Sequence, residues 1–412
     1  MWDTVSNNAS EPHMTRDRQE IPVLLLTGYL GSGKTTLVNR ILSNRKGIRF
    51  AVIVNDLGEI NIDAELIQQG GVVSQTDDNL IALQNGCICC TLKNNLIEQL
   101  RDIVAQNRFD YIVIEASGIC EPEPIAQTIC SIPYLEDPFP DDRLPRLDCI
   151  VTVVDAVRMR DEFQKLETVR KDDEEDLGNL IIQQIEFCNL ILLNKASEVS
   201  PDELGRTKAL IRSLQQKAEI LPCDYGEVPM ERLLDTGLFD FDKTSASATW
   251  IREVENIHDD DEDMGGHEHK HEHEEHHHHH HHHEEEGEAE EYGIRTYVYQ
   301  TRSPFRYEKF HSFVRDWLSR NAIRSKGICY FSYDQDLCYI FDQVGKSSTL
   351  REAGQWFATM PPDELGPFLQ QHPEVCADWD DTYGDRMQKL VFIGQHLDTN
   401  SLCSLLDQCK TE

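Results

Sequence analysis

No apolar run in this chain approaches the length of a membrane span. The longest, Ile21 to Leu30, is about half of the roughly 20 residues that a spanning helix needs. The first twenty residues are polar and charged and carry no signal or transit pattern, so a cytoplasmic protein is expected. Basic residues are scarce: 39 Lys and Arg stand against 74 Asp and Glu, for a formal charge of −35. Such a balance argues against nucleic-acid phosphates or an anionic membrane as the main partner and makes cations the natural ones. A disulfide framework is missing too. The 13 cysteines are odd in number and mostly scattered, without the spacing of a small secreted domain, which favours reduced thiols.

At 412 residues the chain exceeds a typical single core, so two domains and a linker are expected. Composition places the linker. Between Glu253 and Glu291 stand 17 acidic residues and one Lys, together with His258, His267, His269, His271, His273 and the run His276 to His283. No core can form from that texture, and a solvated, disordered insert is expected. The division is therefore 20–241, an insert at 242–292, and 293–412. Neutral imidazoles bind Zn²⁺, Ni²⁺ and Cu²⁺, so His267, His269, His271 and His273 are candidates for weak, exchanging metal sites, with a plain solubilising linker as the alternative.

Gly28-Tyr29-Leu30-Gly31-Ser32-Gly33-Lys34-Thr35 fits the phosphate-loop pattern, which means little without its frame. Here the frame is present: Ile21 to Thr27 reads as a buried strand, and Thr35 to Leu42 carries helix-period apolar residues. Gly28, Gly31, Ser32, Gly33, Lys34, Thr35 and Thr36 are thus the expected phosphate contacts. Lys34 would reach the β/γ oxygens and the Thr35 hydroxyl would ligate Mg²⁺ at the positive end of the helix.

Strands are expected at Arg49 to Val54, Leu80 to Leu83, Tyr111 to Glu115, Cys149 to Val154 and Leu190 to Leu193. Helices fall at Leu92 to Gln106, near Pro124 to Cys130, and at Leu177 to Glu186. That alternation predicts an α/β doubly wound sheet. Beyond the insert, strands at Ile294 to Tyr299, Gly327 to Ser332, Leu337 to Phe341 and Lys389 to Ile393 mix with helices at Tyr307 to Leu318 and Asn400 to Cys409. A smaller α+β domain without a catalytic motif is expected there.

Four further segments carry chemistry. Gly86-Cys87-Ile88-Cys89-Cys90-Thr91-Leu92 puts three thiols within four positions, a set suited to Zn²⁺ or Cu⁺ rather than Mg²⁺ or Ca²⁺. With Thr91 as a cap, the sulfurs of Cys87, Cys89 and Cys90 would sit at a positive helix terminus, where their pKa values fall. Asn55 to Asp63 follows the second strand, and its Asp56 and Glu59 could position water, touch Mg²⁺ or add a hard metal ligand. Glu115 ends a strand where a carboxylate can hold the Mg²⁺ hydration shell, and Gly118 leaves room for a γ-phosphate. Asn194-Lys195-Ala196-Ser197 resembles the guanine-reading Asn-Lys-x-Asp. Ser197 replaces the anionic acceptor, so discrimination against ATP should weaken unless Glu198 takes its place.

These blocks, in order and with Lys389 to Gly394 near the C-terminus, resemble the CobW-like metallochaperone GTPases, relatives of the nickel-delivery proteins UreG and HypB. The Asn-Asp-x-x-Glu-x-Asn-Ile-Asp form and the His-rich insert are similar to the bacterial zinc-responsive branch. The resemblance implies a P-loop GTPase domain, GTP, Mg²⁺ and Zn²⁺ as bound species, and slow hydrolysis coupled to loading zinc, or cobalt, nickel or iron, onto a client metalloprotein. Self-association stays open. A metal store with a vestigial nucleotide site is the alternative, and a kinase or transferase using the same loop a third reading, for which no acceptor pocket is visible.

Overall fold

The computed structural model describes residues 20–43, 47–54, 82–84, 88–135, 137, 139–140, 143–168, 177–245, 247–248, 292–372, 375–376 and 379–411, with backbone alone at 82–84, 88–94, 163–168 and 177–179. Seven parallel strands form the first sheet: β1 (Glu20–Thr27), β2 (Phe50–Val54), β3 (Ala82–Gln84), β4 (Tyr111–Glu115), β5 (Leu144–Asp155), β6 (Leu190–Asn194) and β7 (Glu219–Pro222). Their order is β3-β2-β4-β1-β5-β6-β7, the doubly wound arrangement expected. Helices α1 (Lys34–Ser43), α2 (Ile88–Ala105), α3 (Pro122–Ser131), α4 (Ala156–Thr168), α5 (Leu177–Glu186) and α6 (Pro201–Leu214) join them.

Strand periodicity splits the apolar residues between two cores. Ile21, Val23 and Leu25 of β1 join one cluster with Ala51, Ile53, Ile112 and Ile114, while Leu24 and Leu26 join the other with Val52, Val113 and Val151. A strand covered on both faces has no polar side, which is why β1 reads as one apolar run.

β5 starts at Leu144, five residues before the strand expected from Cys149, and pairs with β1 from Glu20 onward. Asp148 interrupts its apolar pattern, yet it is fully buried. Its carboxylate accepts from Tyr111 Oη at 2.5 Å, Thr236 N at 3.1 Å and Gly237 N at 2.7 Å, which removes the penalty of burying a polar group.

A second sheet is antiparallel, in the order β11-β10-β9-β12-β8, from β8 (Ile294–Thr301), β9 (Arg324–Phe331), β10 (Asp334–Val344), β11 (Ser347–Gln355) and β12 (Gln388–Gln395). Helices α7 (Tyr307–Phe313), α8 (Pro362–Gln371) and α9 (Thr399–Asp407) accompany it. The single helix expected over Tyr307 to Leu318 is α-helical only to Phe313 and continues as a π turn over Val314–Leu318.

The two sheets meet around one buried cation. Arg324 of β9, 1 % exposed, donates Nε to Glu186 Oε1 at 2.8 Å and Nη2 to Glu186 Oε2 at 3.0 Å, at the end of α5. Its Nη1 pairs with Asp342 of β10, and Lys326 Nζ lies 3.2 Å from the same carboxylate. Two cations and two anions thus balance inside an apolar seam that Ile294, Ile323, Val344 and Ile393 share with the first sheet.

Candidate nucleotide and metal site

The phosphate loop leaves β1 at Thr27 and enters α1 at Lys34. Its glycines are dictated by shape. Gly28 holds φ of 132°, and a Cβ there would stand 2.2 Å from the Val153 carbonyl oxygen. Gly33 holds φ of 109°, and a Cβ would stand 2.4 Å from Asn194 Nδ2. Lys34, 6 % exposed, donates Nζ to Gly28 O at 2.7 Å and to Tyr29 O at 3.3 Å, so its charge is aimed over the loop. Thr36 lies exposed in the first turn of α1, and Gly31 is exposed at the loop crest.

Thr35 and Glu115, expected to share Mg²⁺, come together: Thr35 Oγ1 donates to Glu115 Oε1 at 2.7 Å, although 80 positions separate them. Both present hard oxygens, the donor type Mg²⁺ takes. The hydroxyls of Ser32 and Ser117 are buried and have no hydrogen-bond partner among the described residues. Buried hydroxyls without partners are costly, and here they sit on the phosphate loop and on the loop that follows β4. At Gly118 a Cβ would lie 2.6 Å from Leu30 N of the phosphate loop, so this position admits no side chain without a shift of that loop.

Asn194 ends β6, 3 % exposed, and staples two loops. Its Nδ2 donates to Ser32 O at 2.8 Å, and its Oδ1 accepts Gly226 N at 3.2 Å from the loop after β7. Lys195 adopts a left-handed φ of 59° and its Nζ pairs with Asp155, the residue that ends β5. Cys223 also points at Asn194 Oδ1, at 3.8 Å; burial pushes its thiol up to about 11, helped by the Asp224 charge, which suits a thiol that donates. Ser197 donates both N (3.1 Å) and Oγ (2.9 Å) to Asp224 Oδ1, a contact that no local spacing reveals because the two are 27 positions apart. Gln184 of α5 donates Nε2 to the Gly118 and Cys120 carbonyls at 3.3 and 3.0 Å, tying the loop after β4 to that helix.

Cys89 and Cys90 belong to the first turn of α2, whose backbone is helical from Ile88, so Thr91 lies inside the helix instead of capping it. Cys87, Asp56, Glu59 and His267, His269, His271 and His273 lie outside the described residues. Leu26, Glu115, Val54 and Gln84 stand level across β1, β4, β2 and β3, so the chain leaves β3 three residues before Cys87 at the sheet edge that carries Glu115. Two strand spacings separate β3 from β4, on the order of 10 Å.

The family model for the CobW/HypB/UreG nucleotide-binding domain matches residues 22–222, and that for the cobalamin synthesis protein CobW C-terminal domain matches 294–410. The chain is 34 % identical to zinc-regulated GTPase metalloprotein activator 1 of Dictyostelium discoideum, over 96 % of this chain and 80 % of that one. It is 32 % identical to the zinc chaperone CobW of Pseudomonas aeruginosa, over 55 % of this chain and 64 % of that one. The solved structure of the Zn(II)-bound YjiA GTPase from E. coli aligns over 95 % of this chain and 100 % of that one, at 19 % identity and a TM-score of 0.40. Among the described residues no helix is long and apolar enough to cross a membrane.

Proposed function

The chain belongs to the CobW/HypB/UreG family, and from that premise we propose that it is a GTP-hydrolysing metallochaperone that carries zinc on Cys87, Cys89 and Cys90 and hands it to a client metalloprotein. One observation supports the reading. β3, the strand that precedes the thiols in the sequence, ends level with Glu115 two strands away, so the chain heads into the thiol segment from the sheet edge that carries the Glu115 carboxylate.

Lys34 neutralises charge on the β/γ oxygens, and Thr35 with Glu115 would hold Mg²⁺. When bound, the metal offsets charge that builds up as the γ-phosphoryl leaves. Ser32 and Ser117 supply hydroxyls toward the phosphates, while Asp56 or Glu59 orients the attacking water or adds a ligand to the zinc. Zinc itself is cargo. The store with a vestigial nucleotide site has little support, since a decayed site has no reason to keep Lys34 buried and Thr35 bonded to Glu115.

The test is zinc affinity in two nucleotide states, by chelator competition with GDP and with a non-hydrolysable GTP analogue. Affinity is expected to differ between the states. Cys89→Ser should weaken binding sharply, since a hard hydroxyl replaces one of three thiolates. Equal affinity in both states would end the coupling, and unchanged affinity in the variant would end the site.

Deleting Glu253 to Glu291 is expected to remove several weak metal equivalents while the tight site and basal GTP hydrolysis persist. A tract of this composition has too few apolar residues to build a core from, and its tethered imidazoles would raise metal concentration near the thiols. Loading from dilute zinc should slow, measured by stopped-flow against an indicator dye. Loss of hydrolysis on deletion would mean that the insert supplies groups to the nucleotide site.

A further inference from the structure

The guanine-reading position holds Ser197, whose hydroxyl cannot accept two hydrogen bonds as a carboxylate does. A carboxylate stands one hydrogen bond away. We propose that Asp224, carried by the loop after β7 and held by Ser197, supplies the anionic acceptor that selects guanine over adenine.

Acceptor capacity supports this. A carboxylate offers about four lone-pair sites, and the Ser197 N and Oγ occupy two of them on Oδ1. About two remain, the number needed for guanine N1–H and N2–H₂. Adenine offers no donor at N1, so the same carboxylate would face a lone pair and repel it.

The scaffold fixes Asp224 where the base would lie. Its loop is tied to the phosphate loop through Asn194, which accepts Gly226 N and donates to Ser32 O, so both ends of a nucleotide refer to one side chain. Lys195 stands between them, its ammonium paired with Asp155 and its side chain still 33 % exposed, leaving the stem as a platform for a purine. Asp155 is engaged by Lys195, and Glu198, next to Ser197 in the chain, is exposed and makes no side-chain hydrogen bond among the described residues, so nothing orients it. Serine and aspartate thus cooperate across two loops, the serine orienting and the aspartate reading.

This assignment rests on the GTPase reading, and the test separates the two. Competition binding with Mg²⁺ would compare GTP, ATP and xanthosine triphosphate on the full-length protein and on Asp224→Asn. Xanthine keeps N1–H but carries a carbonyl at C2, which an amide can satisfy with its own N–H. Asp224→Asn is expected to lose on the order of 10- to 100-fold in GTP affinity and to gain a similar factor for xanthosine triphosphate; the gain shows that the variant is folded. Ser197→Asp combined with Asp224→Ser should recover GTP preference, whereas Ser197→Asp alone crowds two carboxylates and should not improve it. An Asp224→Asn protein that keeps the wild-type preference for GTP overturns the assignment and leaves GTP binding standing. Equal weakening of all three nucleotides also overturns it, as damage to the loop. A wild-type protein that binds none of them removes the GTPase reading along with it.

Discussion

Lys34→Ala is expected to lower the rate of GTP hydrolysis on the order of 10²- to 10³-fold with little change in thermal stability. The ammonium is pre-aimed: Gly28 and Tyr29 carbonyls hold Nζ at 2.7 and 3.3 Å, and the residue is 6 % exposed. A donor already in place needs no reorganisation as charge builds on the γ-phosphoryl group, so its loss falls on the transition state. Lys34→Arg should rescue little, because a planar fork cannot replace a compact ammonium in that cradle. Single-turnover hydrolysis beside a thermal melt decides it. A rate within threefold of wild type with the melt intact would show that Lys34 only buttresses the loop.

The second large effect is on stability. Arg324→Met should destabilise the protein by about 3–5 kcal/mol, since it strands the Glu186 carboxylate inside an apolar seam. Asp342 keeps Lys326 at 3.2 Å, but Glu186 loses both of its bonds to the guanidinium. Combining Arg324→Met with Glu186→Gln should recover part of the loss, which is the signature of an uncompensated charge rather than of a cavity. Burial works against ionisation of Asp342, yet the Arg324 charge and hydrogen bond, with Lys326, outweigh it and hold the carboxyl below its usual 3.8. A lowered folded-state pKa stabilises fully above the usual value, and that stabilisation disappears as pH falls below it. Acid unfolding of the wild type should therefore steepen below about pH 4, and Arg324→Met should flatten that limb. Denaturant titrations at pH 7 and pH 3.5 measure both; identical curves for wild type and variant would mean that the cluster contributes nothing net.

Much of the fold is legible where burial is two-sided. β1, β2, β4 and β6 are continuous apolar runs because both faces are covered, and their bounds fall within a residue or two of expectation. β11, Ser347–Gln355, is not legible: it is an edge strand, mostly exposed, and so has no alternation to read. The four-residue β7 ends at Pro222 and lies at the sheet edge, where a missing N–H costs no ladder bond. Helix α6 declares itself through one local signal, the capping box in which Ser200 Oγ accepts Glu203 N and Glu203 accepts Ser200 N. The site divides the same way. Phosphate-loop residues are contiguous, so sequence shows them; Thr35 with Glu115 follows from motif order. Ser197 with Asp224, Gln184 with Gly118 and Arg324 with Glu186 join segments that only the folded sheet brings together, and no spacing encodes them.

Strand order also bears on how the chain is made. β1 is central and pairs only with β4 and β5; Thr27 bonds Thr152 across a separation of 125 positions. A ribosome adding about 5–20 residues per second leaves β1 without that neighbour for roughly 6–25 s. During that interval Val23 to Leu26, apolar on both faces, is exposed to any other nascent strand. Synthesis rate and the holding of incomplete chains should therefore govern the yield of this protein more than the stability of its finished sheet.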